Sequence, residues 1–95
     1  MDNDILFLIT SVLIKHINNK NYNFFLYWSR ARWDNIFRSD YDIWVLGPDK
    51  LDVKIYLDIL NEFENIPALI DFTDFATVSE DFKKQAMKDV IYLNK

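Results

Sequence analysis

Two aspartates stand on either side of one tyrosine near the middle of the chain. Asp40 and Asp42 come just before the apolar residues 43–46, IWVL. If this stretch is a strand, residues two apart point to the same face, so the two carboxylates lie side by side. Mg²⁺ is typically bound by one or two carboxylates and completes its shell with water and substrate phosphates. The spacing therefore predicts a magnesium site.

A third carboxylate is available in the later segment IDFTDF, which contains Asp71 and Asp74. An acid on a second strand beside the first pair would permit two ions roughly 3.5–4 Å apart, the arrangement that stabilises the attacking and leaving oxygens in nucleotidyl transfer. Spacing alone does not choose between the two residues, and the position within the predicted strand favours Asp71. The alternative for Asp71 is a capping or solvated carboxylate at a strand end.

Ser29 and the arginines that follow it could bind phosphate. If Ser29 opens a short helix, its backbone N–H, its hydroxyl and the helix dipole form a site for nucleotide phosphates. Arg30 and Arg32 add positive charge nearby and can bind phosphate through two hydrogen bonds. Surface salt bridges are the alternative for the arginines. Helix capping by Ser29 is compatible with phosphate contact.

Helical and strand-like segments alternate along the chain and must position these residues. Apolar periodicity predicts three longer helices, and aromatic or β-branched runs predict three strands. The helices cover roughly residues 3–18, 50–65 and 79–93, the strands roughly residues 22–28, 41–46 and 68–74, and the short helix starts at Ser29. This alternation predicts an α/β fold, a small sheet of about three core strands flanked by helices.

Length and composition limit the class of protein. The 95 residues are 51% hydrophobic, which predicts one domain, residues 1–95, with its own core. The net charge of -4 argues against binding to a nucleic-acid backbone. The absence of cysteine excludes disulfides and thiolate metal sites. The first apolar run is too short to span a bilayer and we identify no targeting segment, so we expect no membrane association and a cytoplasmic location.

The spacing of Ser29, ten intervening residues and Asp40-Tyr41-Asp42 closely resembles a known signature. It is similar to the Gly-Ser, ten residues, Asp-x-Asp motif of the DNA polymerase beta-like nucleotidyltransferase superfamily. The segments SRAR, SDYDIWVLGP and IDFTDFATVSEDFKKQAMKDVIYL extend the resemblance to the minimal nucleotidyltransferases over nearly the whole chain. Members of that group are small cytoplasmic proteins, commonly encoded with a HEPN-domain ribonuclease. Some act as antitoxins by transferring AMP from ATP to a tyrosine of that toxin.

The resemblance implies a role for each matching residue. Asp40 and Asp42 would be the metal-binding pair, and Asp71 the third carboxylate, which helps to bind the second Mg²⁺ and deprotonates the incoming hydroxyl. Ser29 would contact the phosphates of the ATP substrate. The resemblance also implies a nucleotidyltransferase fold, a HEPN toxin as partner and a hetero-oligomer with that toxin.

Two tryptophans depart from the pattern. Trp28 stands where the family has the glycine of its Gly-Ser motif, and Trp33 replaces a glycine that usually follows the second arginine. A glycine lets the backbone approach phosphates closely, whereas tryptophan adds the largest side chain there. Two hypotheses follow: an active nucleotidyltransferase, favoured by the retained acids, or a catalytically impaired module that neutralises its partner by contact, favoured by Trp28.

Overall fold

The computed structural model describes residues 3–17, 21–27, 41–86, 88 and 90–94. In chain order, the elements are α1 Asn3–His16, β1 Asn23–Tyr27, β2 Tyr41–Leu46, α2 Val53–Phe63, β3 Ile70–Asp74, a 3₁₀ turn Phe75–Thr77, α3 Glu80–Ala86 and β4 Val90–Tyr92. Each helix in this described part of the chain is too short or too polar to cross a membrane.

The described strands form one mixed sheet in the order β3-β2-β1-β4. β1 pairs antiparallel with both β2 and β4, whereas β2 and β3 are parallel. A parallel pair needs a crossover connection, and α2 lies in the segment that joins the two strands. The predicted α/β class with a small mixed sheet is confirmed.

The end of the chain differs from the sequence prediction. The last helix was predicted over residues 79–93, but α3 ends at Ala86 and Val90–Tyr92 form a fourth strand. In this strand Tyr92 pairs with Phe25 of β1, and the Leu93 N–H donates to the Phe24 carbonyl at 2.8 Å. The extended conformation therefore satisfies backbone groups on the free side of β1, which a longer helix would not reach.

One face of the sheet is covered by α1 and α2. In α1, Ile5, Ile9 and Leu13 recur every fourth residue and are buried, as expected for a helix with one apolar face. From α2, Ile59 and Phe63 reach the same core. The strands contribute alternate residues to it, which are Phe24, Leu26, Tyr41, Ile43, Val45 and Phe72.

The other face of the sheet carries a smaller aromatic cluster. Phe25 of β1, Trp44 of β2 and Phe75 after β3 are buried there. Strand residues alternate between faces. Asp42, two residues before Trp44, therefore lies on this second face, away from α1 and α2.

The turn after β2 depends on the single glycine of the chain. A Cβ atom at Gly47 would collide with the ring of Tyr22. The Tyr22 hydroxyl also donates to the Asp49 carbonyl at 3.0 Å. Glycine at position 47 therefore allows the Tyr22 ring to pack against the backbone of the turn between β2 and α2.

Candidate active site

The pairing of β2 with β3 brings together two of the predicted site residues. Asp42 is the direct register partner of Asp71 on the neighbouring parallel strand. Directly paired residues point to the same face, and neighbouring strands lie roughly 4.8 Å apart. The two carboxylates therefore stand next to each other, although they are 29 residues apart in the chain (71 − 42 = 29).

An open cleft of about 300 Å³ lies in front of this carboxylate pair. Asp42 is only 6% exposed, whereas Asp71 is exposed to solvent. The Trp44 ring stacks on Phe75 with centroids 4.2 Å apart and on Tyr27 with centroids 4.4 Å apart. We call this space the carboxylate cleft; it is lined by Asp42, Trp44, Asp71, Thr73, Phe75, Val78 and Phe82.

Sequence reasoning identified the two aspartates but did not place Trp44 beside them in a cleft. The signal was present in the spacing, because Trp44 follows Asp42 by two residues and must share its face in a strand. Thr73 has the same relation to Asp71 on β3. What the spacing does not show is that Phe75 and Phe82 come from later elements to complete the cleft.

Asp74 lies on the opposite face of the sheet from Asp71. Its register partner is Val45, which belongs to the core beneath the helices. The buried Asp74 carboxylate accepts hydrogen bonds from the Leu51 N–H at 2.7 Å and the Ala76 N–H at 3.0 Å. Asp74 thus caps the 3₁₀ turn and ties it to the segment before α2. The structure places Asp71, not Asp74, beside Asp42.

The other predicted site residues lie outside the described residues: Trp28, Ser29, Arg30, Arg32, Trp33 and Asp40. Their roles stay predictions.

The donor set can be compared with the needs of Mg²⁺. Within the described part of the chain no group of three or more His, Cys, Asp or Glu side chains could hold a metal ion. The same part does supply one adjacent pair of carboxylates, Asp42 and Asp71, at an open cleft. Such a pair fits an ion that takes one or two carboxylates and fills its shell with water and phosphate oxygens. Asp40, predicted to form the metal-binding pair with Asp42, stays a predicted ligand.

A second, larger cleft borders Asp71 at the outer edge of β3. Its volume is about 480 Å³, and we call it the edge cleft. Tyr56 of α2 forms one wall; its hydroxyl donates to the Phe72 carbonyl at 2.8 Å, and its ring stacks on the Phe72 ring. The edge cleft is lined by Lys50, Leu51, Val53, Tyr56, Asp71, Phe72, Thr73 and Asp74.

Burial and then nearby charge both favour the protonated form of the Tyr56 hydroxyl. Burial raises the pKa of Tyr56 above its ordinary value, and the nearby carboxylates of Asp71 and Asp74 raise it further. A tyrosine hydroxyl is protonated at physiological pH even at its ordinary pKa, and the raised pKa strengthens this preference, so Tyr56 is a neutral hydrogen-bond donor. Sequence reasoning did not identify Tyr56, because its position beside β3 depends on how α2 packs against the sheet.

The family of the chain follows from comparison with known proteins. The family model described as polymerase beta nucleotidyltransferase matches residues 9–95. The chain belongs to this family, and its small mixed sheet with flanking helices agrees with the nucleotidyltransferase fold. A search of the curated proteins found no significant match.

Solved structures share this fold. A chain of the complex between tri-AMPylated Shewanella oneidensis HEPN toxin and MNT antitoxin matches with a TM-score of 0.70 and 22% identity, over 98% of this chain and 71% of that chain. The toxin–antitoxin MntA-HepT matches with a TM-score of 0.69 and 20% identity, over 97% and 71% of the respective chains. A toxin–antitoxin crystallised with AMP-PNP matches with a TM-score of 0.67 and 22% identity, over 93% and 71%.

Proposed function

We propose that this chain is a Mg²⁺-dependent nucleotidyltransferase that transfers AMP from ATP to a tyrosine hydroxyl of a HEPN ribonuclease toxin and acts as its antitoxin. The observation that carries the proposal is the direct pairing of Asp42 with Asp71 at an open cleft, in a member of the polymerase beta nucleotidyltransferase family.

The partner is proposed from the fold-related complexes. One of them contains an MNT antitoxin with a tri-AMPylated HEPN toxin, and another is the pair MntA-HepT. A third was crystallised with AMP-PNP, an analogue of ATP. These relatives support ATP as the substrate, a HEPN toxin as the acceptor and a hetero-oligomer of the two proteins.

The two aspartates differ in burial, which suits different roles. Asp42 is held at 6% exposure on a central strand, where its carboxylate has a fixed position. Asp71 is exposed on an edge strand, where an incoming hydroxyl can reach it and transfer its proton to the carboxylate. Divalent cations bound by these carboxylates, with Asp40, would stabilise charge on the phosphates and on the pyrophosphate leaving group. Ser29 and Arg30 would bind the phosphates of ATP.

The test is transfer of label from ATP to the toxin. The purified chain is incubated with Mg²⁺, labelled ATP and its HEPN toxin, and modification of the toxin is followed by mass spectrometry. We expect Asp42→Asn and Asp71→Asn each to lower the rate by on the order of 10²-fold or more, because each removes a carboxylate needed in the transition state. The control is Asp58→Asn, which changes a partly exposed carboxylate of α2 paired with Lys54 and should keep the wild-type rate.

Metal binding gives a second readout. Titration of Mn²⁺ or Mg²⁺ into the protein should show weaker binding in both site variants and unchanged binding in Asp58→Asn. A toxin that is neutralised by the wild-type chain without acquiring label would contradict the transferase and support the binding module. If the toxin acquires label with the Trp28→Gly variant but not with the wild-type chain, the missing transferase activity of the wild type is caused by Trp28.

A further inference from the structure

The edge cleft opens on the outer side of β3. In the described sheet β3 pairs only with β2. The other side of β3 borders the edge cleft, whose opposite wall is formed by residues that lead into α2 and by the start of α2. The cleft volume of about 480 Å³ lies in the range of ligand pockets, which is roughly 300–1,000 Å³. The cleft is therefore large enough to hold a whole side chain with part of its backbone.

The edge cleft and the carboxylate cleft meet at two residues. Asp71 and Thr73 line both of them. On the other side of Asp42 the sheet continues into β1, where Tyr27 is the register partner of Asp42. Among the described elements, the outer edge of β3 is thus one side from which a second substrate can reach Asp71.

The walls of the edge cleft suit an aromatic ring. Tyr56 presents a planar ring, and its contact with Phe72, at 5.2 Å between ring centroids, fixes that ring in place. Val53 contributes an apolar side chain that is 64% exposed, and Lys50 adds an exposed cation. The Tyr56 hydroxyl already donates to the Phe72 carbonyl. The wall is therefore mainly apolar towards an incoming ring, while the Asp71 carboxylate provides an acceptor for a hydroxyl proton.

We propose that the edge cleft receives the acceptor side chain, a tyrosine presented by the partner polypeptide, with its hydroxyl directed at Asp71. This inference rests on the proposed function and adds the place and the specificity of the acceptor. Val53 and Tyr56 would select the acceptor by packing against its ring. The phenolic oxygen attacks the α-phosphorus of ATP and its proton passes to the Asp71 carboxylate. The bond from the α-phosphorus to the bridging oxygen breaks, and pyrophosphate leaves with the electron pair.

The matched variants for a test both lie on α2. Val53→Trp places a bulky side chain in the edge cleft at an exposed position. Leu57→Trp makes the same change one turn later, at a residue that is 51% exposed and is not among the residues that line the cleft. Thermal unfolding of both variants checks that each is folded. Val53→Arg and Leu57→Arg repeat the comparison with a different side chain.

Two quantities separate acceptor binding from nucleotide binding. We expect Val53→Trp to lower kcat/KM for the HEPN toxin by at least about tenfold, because a blocked pocket weakens contact with the acceptor in the transition state. The Kd for AMP-PNP, measured by calorimetry with Mg²⁺, should be unchanged. Leu57→Trp should leave both quantities at the wild-type values.

Three results would overturn the inference, and they are distinguishable. A wild-type rate of toxin modification in Val53→Trp would show that the acceptor binds elsewhere. A weakened Kd for AMP-PNP in Val53→Trp would show that the edge cleft holds the nucleotide. Equal losses of kcat/KM in Val53→Trp and Leu57→Trp would indicate a broad contact surface on α2. The proposed function itself fails only if the wild-type chain transfers no label, and the acceptor cleft then falls with it.

Discussion

Asp71 and Asp74 lie three residues apart on β3 and point to opposite faces of the sheet. Asp71 stands beside Asp42 at the carboxylate cleft, and Asp74 is buried with two backbone N–H groups as donors. Neighbouring carboxylates on one strand thus differ in role because strand residues alternate between faces. Substitution of Asp71 should therefore affect catalysis, whereas substitution of Asp74 should affect the stability of the fold.

Replacement of Asp74 should destabilise the fold. Asp74→Ala removes the acceptor for the Leu51 and Ala76 N–H groups, and an unsatisfied buried donor costs roughly 1–3 kcal/mol. We therefore expect the free energy of unfolding, measured with urea, to fall by about 2–4 kcal/mol. Asp74→Asn keeps one acceptor oxygen and should lose less. Asp71→Asn is the matched control, and a loss of stability in it as large as in Asp74→Ala would contradict this division of roles.

At the scale of elements, β4 is held to β1 by one side chain as well as by the backbone. The Asn94 amide accepts from the Phe24 N–H at 3.0 Å and donates to the Tyr22 carbonyl at 2.9 Å. This side chain continues the pattern of hydrogen bonds beyond the last residue of the strand. A strand of only three residues, Val90–Tyr92, gains an additional attachment in this way.

Loss of the Asn94 amide should loosen β4 selectively. Asn94→Ala leaves the Phe24 N–H without this acceptor, so we expect faster hydrogen exchange at Phe24 and Leu93 and a stability loss of about 1–2 kcal/mol. Exchange at Ile43 in the central strand should change less, because β2 is paired on both sides. The control is Asn61→Ala on the exposed side of α2. Uniformly faster exchange across all strands would indicate global destabilisation.

Most elements could be predicted from the sequence, but their contacts could not. Periodicity and apolar runs predicted α1, α2 and the first three strands, since these segments carry regular patterns of their own. The short β4 was missed because its three residues continue a helical pattern, and only the free side of β1 explains their extended form. The Asp42 and Asp71 pair depends on strand register, although each acid was identified from spacing. The edge cleft was not predictable, because Tyr56 and Phe72 meet only in the packed fold.

At the scale of the whole molecule, two helices on one side of the sheet are joined by a charged cluster. Glu62 of α2 pairs with His16 near the end of α1 and with Lys15, whose Nζ lies 3.1 Å from Glu62 Oε1. The hydrogen bond with His16, followed by that with Lys15, holds the pKa of Glu62 below its ordinary value of 4.5. Folding and the ionisation of Glu62 are therefore coupled.

The sign of this coupling predicts how stability changes in acid. A carboxyl whose pKa is lower in the folded state stabilises the fold above its unfolded pKa, and this contribution is lost as the pH falls through the folded pKa. We expect Glu62→Gln to show a flatter loss of stability than the wild type between about pH 5 and about pH 3, measured as urea midpoints. Glu64→Gln, an exposed carboxyl two residues later, is the control. Parallel curves for the wild type and Glu62→Gln would contradict the coupling.

The position of Asp71 between two clefts has a consequence for the order of events in a catalytic cycle. Asp71 borders both clefts. If ATP lies in the carboxylate cleft and the acceptor in the edge cleft, as proposed, Asp71 would contact both substrates at the same time. ATP and the toxin would then occupy the protein together as a ternary complex, and AMP would pass directly from one to the other. Double-reciprocal plots of the initial rate against ATP concentration, at several fixed concentrations of the toxin, should then give lines that intersect instead of running parallel. Under the proposed function, the chain would consequently bind the toxin before the modification as well as perform it.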